Sequence, residues 1–561
     1  MASPVRLARR AAREHWPALA AFTVAAAIRA VAVLGYPTIL WFGDTVGYLR
    51  TATTLFPSGT RPSGYSLLLL ALRPLHSFVA VVTVQHVIGL LTAALLYAVV
   101  WRHARRARPA RRLAPSALGT LVAAPVLFDG YQIELEHLGL SDSLFTFLVV
   151  AAAAILLWNP GVTWRTAAAA GLLLGGAAVT RAVGLPLLLI VLAWLLLRRR
   201  GRRAAMPPAA ALTAAFLVPV LLYMSWFAVA HERFALTTTD RVFLYGRTTD
   251  FADCSIIRPR PGLARLCPKP PPKDVSPAYA ALWTEQSPFL GIPGGKGGGN
   301  DLAGEFAMAA IRAQPGDYAR VVARDTFRAF EWERRVYPSP WTFRKYEFPA
   351  RSEKLTARQA KVARAYARAA GPRPVNEPYA GWMRAYQDHV HLPGTVLGVL
   401  LLAAVAGAVA RRRPERVALP WLLSLGLLVV PAATADFDYR YVLPAAPLGA
   451  LAAALAFVPG RRDAATAPRD EGRDRAAGEP PAAPAPASTM VSGGRGPAAP
   501  WPPPPPPPPA PTMGSDGGAA PGTGPPAEAP PARPRRERPA WRARGRRTPA
   551  DRSRRPAAGP G

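Results

Sequence analysis

The run SFVAVVTVQHVIGLLTAALLYAVVW at residues 77–101, closed by RHARRARPARR at 102–112, decides the fold class. A straight helix needs about 20 apolar residues to cross a hydrocarbon core ~30 Å thick, and this run is longer. Arginine crowds one end of it only, the pattern that orients a crossing helix with its basic flank in the cytoplasm. The same alternation recurs along the chain. Half of the residues are apolar, yet the net charge is +34 and the pI about 11.3, so apolar and basic stretches must be segregated. That pairing excludes an ordinary soluble enzyme and a fully disordered chain. With no recognition motif beside the arginines, it also gives no support to a nucleic-acid partner.

Outward from this run, further long spans lie at 16–40, 208–230, 396–410, 417–433 and 441–458, with shorter ones at 113–128, 144–158, 166–180 and 182–197. The first is too long for the apolar segment of a cleaved signal peptide and is read as a membrane helix. The expectation is an all-α polytopic membrane protein of about ten transmembrane helices, with an outward α-rich insert and a disordered C-terminal tail. Arg6, Arg9, Arg10 and Arg13, the cluster from Arg102 to Arg112, the cluster at 198–203, and Arg411, Arg412, Arg413 and Arg416 then share one parity. A tight turn near Arg181 and Gly184 preserves it. Both termini fall in the cytoplasm, and the alanine- and arginine-heavy composition suggests the plasma membrane of a bacterium.

Four regions follow: an N-terminal membrane module at 1–230 containing the first outward loop, 41–76; an extracytoplasmic insert at 231–392; C-terminal helices at 393–459; and a tail at 460–561. The insert, roughly 160 residues, has the size of a small domain. Asp317 can cap a helix through Trp332, and Thr356 with Gln359 has capping-box spacing. PGGKGGGN at 293–300 lacks the GxxxxGK[ST] order of a phosphate loop and reads as a flexible loop. Cys254 and Cys267 are the only cysteines. In an outward segment they are disulfide candidates. The tail is poor in apolar residues and rich in proline and arginine, so disorder is expected. It suits a cytoplasmic partner or anionic lipid through 533–555, or serves simply as a solvated tail.

The residues able to do chemistry sit between the spans. Asp44 lies just beyond the first one, in an apolar setting suited to a base acting on a membrane-borne substrate, with Tyr48 one helical turn later. The second outward segment, FDGYQIELEHLGLSD, holds Asp129, Tyr131, Gln132, Glu134, Glu136, His137 and Asp142. Such polar density fits a hydrated loop, a site for sugar hydroxyls, or ligands for a divalent ion. Without HExxH or CxxC spacing no zinc site is indicated, no cofactor is required, and a divalent metal stays open. Arg181 and Arg440 run against the positive-inside trend. A lipid phosphate would compensate them, as would Asp436 and Asp438. Arg29, inside the first span, needs a partner.

GDTVGYL (43–49), RPSGYSLLL (61–69), VQHVIGLLTAALLY (84–97), ELEHLGLSDSLF (134–145), VTRAVGLPLLL (179–189) and YRYVLPAAPL (439–448) together resemble the C-type glycosyltransferase superfamily, in its polyprenyl-phosphate-sugar-dependent, protein O-mannosyltransferase-like branch. The resemblance spans residues 40 to 450. It implies a polyprenyl-phosphate-linked sugar donor, membrane lipids as surroundings, and a glycan, protein or lipid acceptor. It also implies transfer to a hydroxyl on the extracytoplasmic side with inversion. The family's acidic residue in the first outward loop corresponds to Asp44. Many members carry a second acid directly after it, where this chain has Thr45, so Glu136 is taken as the second catalytic carboxylate. Arg440, Arg181 and Arg61 are expected on the leaving phosphate. Tyr48, Tyr131, His137 and Asp142 complete the substrate-binding set. The competing class is a polytopic transporter or lipid flippase, which would need the same outward carboxylates and arginines. No repeated halves of the transporter kind are visible. A catalytically silent scaffold acting through its tail is a third reading.

Overall fold

The computed structural model describes residues 4–107, 113–197, 202–367, 375–412 and 414–458, which all belong to one compact unit. The tail at 460–561, its proposed partner, and the arginines at 108, 111, 112, 198–200 and 413 lie outside the described residues. The described chain is helical, with one isolated parallel bridge between Leu40 and Leu138.

The expected count of about ten crossings is not met. Among the described residues five helices are long and apolar enough to span: Ala12–Gly35, Phe78–Ala107, Ala204–His231, Pro414–Thr434 and Tyr439–Phe457. Two bent pairs raise the number to at most seven, Leu113–Phe128 with Gly130–His137 at 53° and Tyr379–His389 with Gly394–Ala410 at 50°. The helices Asp142–Trp158 and Trp164–Thr180 have 17 residues each. At 1.5 Å per residue either rises only ~26 Å, short of a hydrocarbon core of ~30 Å. The segment Ala182–Leu197 is likewise too short. The parity that placed both termini in the cytoplasm rested on ten crossings and falls with that count.

Small residues set the closest helix contact. A Cβ on Gly171 would meet the Leu212 carbonyl oxygen at 2.3 Å, and one on Gly175 would meet that of Phe216 at 2.4 Å. Two glycines four apart on Trp164–Thr180 thus let its backbone lie directly on Arg202–His231. Further along, the helix Leu113–Phe128 breaks at Asp129, whose carboxylate accepts from Gln132 N at 2.9 Å and Leu392 N at 2.7 Å. Asp129 thereby starts the next helix and ties it to the end of the insert. The backbone at Leu40, bonded to His137 O and Gly139 N at 3.0 Å each, joins the first polar segment to the second.

In the insert, Tyr245, Phe289 and Phe306 form an aromatic centre packed by Val242, Leu266 and Ala303. Cys254 and Cys267 are disulfide-bonded. The capping box of Thr356 and Gln359 opens the helix Ala357–Tyr366. Asp317 caps nothing. Its helix is Pro315–Arg328, begun by Pro315 at the first position, where proline's fixed φ suits a helix start, and it stops short of Trp332. Asp317 instead pairs with Arg320 at 2.6 Å. Residues 293–300 are also more ordered than a flexible loop. Gly294 and Gly295 take φ of 75° and 60°, and Gly295–Gly298 forms one helical turn leading into Asn300–Ala313. A Cβ on Gly298 would lie 2.0 Å from Pro293 O, which leaves room for glycine alone.

Replacing Gly171 by leucine should force the two helices apart and destabilise the protein by about 1–3 kcal/mol or more. The check is a thermal melt in detergent. An unchanged midpoint would contradict the close crossing.

Candidate functional site

At one end of the helical bundle, the segments that break or end the helices surround a cavity of about 660 Å³. Its wall takes Asp44 and Arg61 from the segment after the first helix, Arg181 from the break before Leu187–Leu197, and Asp436, Asp438, Arg440 and Tyr441 from the segment before the last helix. The insert adds Asp240, Phe243, Trp283 and Trp341.

Asp44 occupies the N-cap position of Thr45–Thr54, where an aspartate ordinarily accepts a backbone N–H. It makes no such bond here. Its Oδ1 accepts from Arg61 Nε at 2.9 Å, with a second Arg61 nitrogen also at 2.9 Å, and Oδ2 faces Arg440 at 3.4 Å. Burial opposes the charge on Asp44, but Arg61 and Arg440 outweigh it and hold the carboxyl below its ordinary range. The neighbouring Thr45 is a clamp rather than a second acid. Its hydroxyl accepts from Phe42 N at 3.0 Å and donates to Gly139 O at 3.1 Å.

Arg440 is buried, lying over the rings of Phe42 and Tyr441 at 4.9 and 5.3 Å. Its Nε has no hydrogen-bond partner, the nearest carboxylate oxygen, on Asp438, being 3.6 Å away. Asp438 accepts from the Tyr346 hydroxyl at 2.8 Å and from Arg440 N at 3.2 Å. Burial nevertheless raises its carboxyl, more than Arg440 lowers it. Arg181 pairs with Asp142 and covers the Tyr441 ring at 5.2 Å. The second Asp142 oxygen is buried without a partner. Tyr48 shares a hydrogen bond with Ser141 at 3.1 Å and meets Tyr65 edge-on.

Five of the site residues singled out in the sequence therefore line the cavity directly: Asp44, Tyr48, Arg61, Arg181 and Arg440. Asp142 joins through Arg181. Glu136, His137 and Tyr131 do not line it. Glu136 is fully buried and accepts from Arg29 at 2.8 and 3.0 Å, from His86 at 2.9 Å and from Gln132 at 3.1 Å. Arg29 spends its other donors on the carbonyls of Val126 and Leu127, at the broken end of Leu113–Phe128. That is the partner the intramembrane arginine requires. His137 bonds His86 at 3.2 Å and Tyr36 O at 2.7 Å. Tyr131 stacks beneath Arg334 at 3.6 Å. Among the described residues no group of three or more His, Cys, Asp or Glu is placed to hold a metal ion.

The sequence reading passed over the walls given by the insert. Lys296, in the glycine segment, sits 3.3 Å from the centre of the Trp283 ring. Burial, aided by Arg61, lowers its ammonium to about 8. Asp436 accepts from the Tyr337 hydroxyl at 2.5 Å and the Ser276 hydroxyl at 2.7 Å. Burial and the nearby Asp250 still push it up to about 7. Nothing local marks the insert's Phe243, Trp283 and Trp341 as cavity walls, because segments far in sequence from the motifs bring them there, whereas Asp436 stands three positions before the motif at 439–448.

No family model matches the chain, and no curated protein matches it. Two solved structures resemble it in outline: ArnT from Cupriavidus metallidurans bound to undecaprenyl phosphate, at 14% identity and a TM-score of 0.32 over 79% of this chain and 77% of that one; and the same protein in the apo state, at 13%, 0.31, 79% and 76%. Likeness this loose assigns neither family nor activity.

Asp436 gives a pH signature. Its folded carboxyl lies above the ordinary 3.8, at about 7, so between those values the folded protein binds the proton more tightly than the unfolded chain. Its contribution to stability is then lost as pH rises across that window and is constant above it. Asp436→Asn removes this loss, so the variant's melting midpoint should fall less than the wild type's over the same range. Parallel profiles would contradict the assignment.

Proposed function

We propose that the chain is a membrane glycosyltransferase that moves a sugar from a polyprenyl-phosphate donor to an acceptor hydroxyl. The observation that carries this reading is the Arg61–Asp44–Arg440 array on the wall of the large cavity, in which Arg440 is buried with one nitrogen left unpartnered. A buried guanidinium with an unmet donor calls for an anionic oxygen, and phosphate fits its planar fork. Val183, Leu185, Pro186 and Val430 make one side of the cavity apolar, which suits a prenyl chain beside a phosphate.

In the reaction, the acceptor oxygen bonds to the sugar's anomeric carbon as the bond from that carbon to the phosphate oxygen breaks. The acceptor's proton passes to Asp44, and the polyprenyl phosphate leaves with the electron pair. Attack from the face opposite the leaving group inverts the configuration. The donor phosphate competes for Arg61 and Arg440. Drawing them from Asp44 makes that carboxylate a stronger base at the moment it is needed. The same arginines, with Arg181, stabilise charge growing on the leaving phosphate. Asp438 replaces Glu136 as the second carboxylate near the reacting groups, since it lines the cavity and Glu136 does not.

The helix ends, rather than a count of crossings, support the extracytoplasmic side. Pro414–Thr434 carries Arg416 near its start and lines the cavity through Val430 and Thr434 near its end. Phe78–Ala107 ends on Arg102, Arg105 and Arg106, far from the loops around Asp44 where it begins. Basic ends held inward would turn the cavity to the extracytoplasmic face of a bacterial plasma membrane, in keeping with this reading.

Purified protein supplied with a synthetic polyprenyl-phosphate sugar and a hydroxyl acceptor tests the reading. Asp44→Asn should lower transfer at least ~100-fold, the usual contribution of a general base, while the variant still inserts into the membrane. Arg440→Gln should weaken the donor's binding as well as turnover. Full activity in Asp44→Asn would remove it from the catalytic role.

A further inference from the structure

The helix Pro315–Arg328 has one buried face and one open face. Val321, Asp325 and Thr326 are buried, and Asp325 pairs with Arg247 of the insert at 2.5 Å. Ala319, Ala323 and Phe327, spaced four apart and hence on one stripe, are exposed. Phe327 shows 69% of its surface, and Trp332, just beyond the helix, 64%. An open apolar stripe that ends in two large aromatic side chains calls for a cover.

The helix lies across the cavity ends of two membrane helices. Near its start, the Tyr318 hydroxyl donates to Ala433 O at 3.0 Å, at the end of Pro414–Thr434. Just past its own end, the carbonyl oxygens of Ala329 and Glu331 stand 2.3 and 2.7 Å from where a Cβ on Gly394 would fall, at the start of Gly394–Ala410. Two points about 16 Å apart along one helix thus rest on neighbouring helix ends, which lays it along the membrane surface and not through it.

Gly394–Ala410 fixes the depth. Its 17 residues rise only ~26 Å, and Arg411 and Arg412 directly after it cannot sink into a hydrocarbon core ~30 Å thick. The segment lying on Gly394 therefore reaches no further than the opposite boundary of that core. The apolar surface also continues from one helix to the other. Val399, Leu402, Val405 and Val409 make the exposed stripe of Gly394–Ala410. Phe330 packs on Gly398 beside that stripe, the Thr395 hydroxyl donates to Phe330 O at 2.9 Å, and Phe327 meets Phe330 edge-on at 6.2 Å.

We propose that Pro315–Arg328 and the turn after it anchor the insert in the lipid interface, with Ala319, Ala323, Phe327 and Trp332 seated between headgroups and acyl chains. Aromatic side chains favour that boundary, and the mostly exposed Arg320 and Arg335 reach from it to the headgroups. The anchor does not depend on the reaction assigned to the cavity. It makes this helix the link between bilayer and insert core, since its other face holds Arg247 through Asp325.

The only two cysteines are joined as the Cys254–Cys267 disulfide, so an introduced cysteine is the one free thiol. Nitroxide labels at Phe327→Cys and Trp332→Cys, in full-length protein in vesicles of phosphatidylcholine and phosphatidylglycerol, test the anchor. Each label is read by its collisions with oxygen, which enters acyl chains, and with a nickel chelate, which does not. Both should lie about 5–10 Å into the headgroup–acyl boundary. A label at Val399→Cys should lie deeper, and one at Lys273→Cys, on an exposed part of the insert, should lie in water. Ala323→Cys, at a small exposed side chain, gives the same reading if an aromatic variant fails to fold. Nickel contact at 327 and 332 equal to that at 273 would overturn the anchor. Exclusion of both reagents would overturn it too, and would show the face covered by protein.

Discussion

The contact on which the rest of the site depends is Asp44 held between Arg61 and Arg440. It joins segments nearly four hundred positions apart, and each partner is fixed by something else. Thr45 clamps the turn before Asp44 to Gly139, while Arg440 stands on Asp438 and between aromatic rings. Opposite charges about 4 Å apart attract by ~4 kcal/mol at an effective dielectric of 20, enough to offset much of their desolvation. The array remains one positive charge in excess. Adding Asp438 balances the count, but the distance between it and Arg440 leaves a guanidinium nitrogen unmet.

That unmet nitrogen distinguishes this array from the buried ion pair of Arg29 and Glu136. Arg29 and Glu136 are at least as deeply buried, yet both Glu136 oxygens accept two bonds each and Arg29 completes its set on backbone carbonyls. A saturated cluster has no capacity for a ligand. It instead closes the break in the helix after Phe128, and the missing side chain at Gly89, where a Cβ would fall 2.0 Å from Glu136, makes space for it. Between these two clusters burial and charge do not make the difference; unused hydrogen-bonding capacity does.

The sequence made some of this legible. Asp44, Tyr48, Arg61, Arg181 and Arg440 stand out because they are polar groups beside apolar runs, and the structure gathers them around one cavity. Glu136 stands out for the same reason and lies elsewhere, since polarity beside a membrane segment marks burial without saying whether the partners are protein or ligand. Asp438 could be named only as an alternative partner of Arg440. Trp283, Trp341 and Lys296 carried no periodic or motif signal, as their positions depend on how the insert folds back. The capping box at Thr356 was readable because it is local; the helix begins at Pro315 rather than at Asp317 because proline at the first helical position is the stronger start signal.

The miscounted helices have a related cause. Each apolar run was taken as a crossing, but Asp142–Trp158, Trp164–Thr180 and Leu187–Leu197 are too short to cross alone. Their shortness is tolerable where their ends are covered by protein instead of lipid, and the first of them is buried along most of its length. Asp142 opens that helix and Arg181 follows the second, and these two ends pair with each other. A helix that stops early frees backbone and leaves room for charged side chains at its end. The shortfall in length and the clustering of polar groups at one end of the bundle are thus the same structural fact.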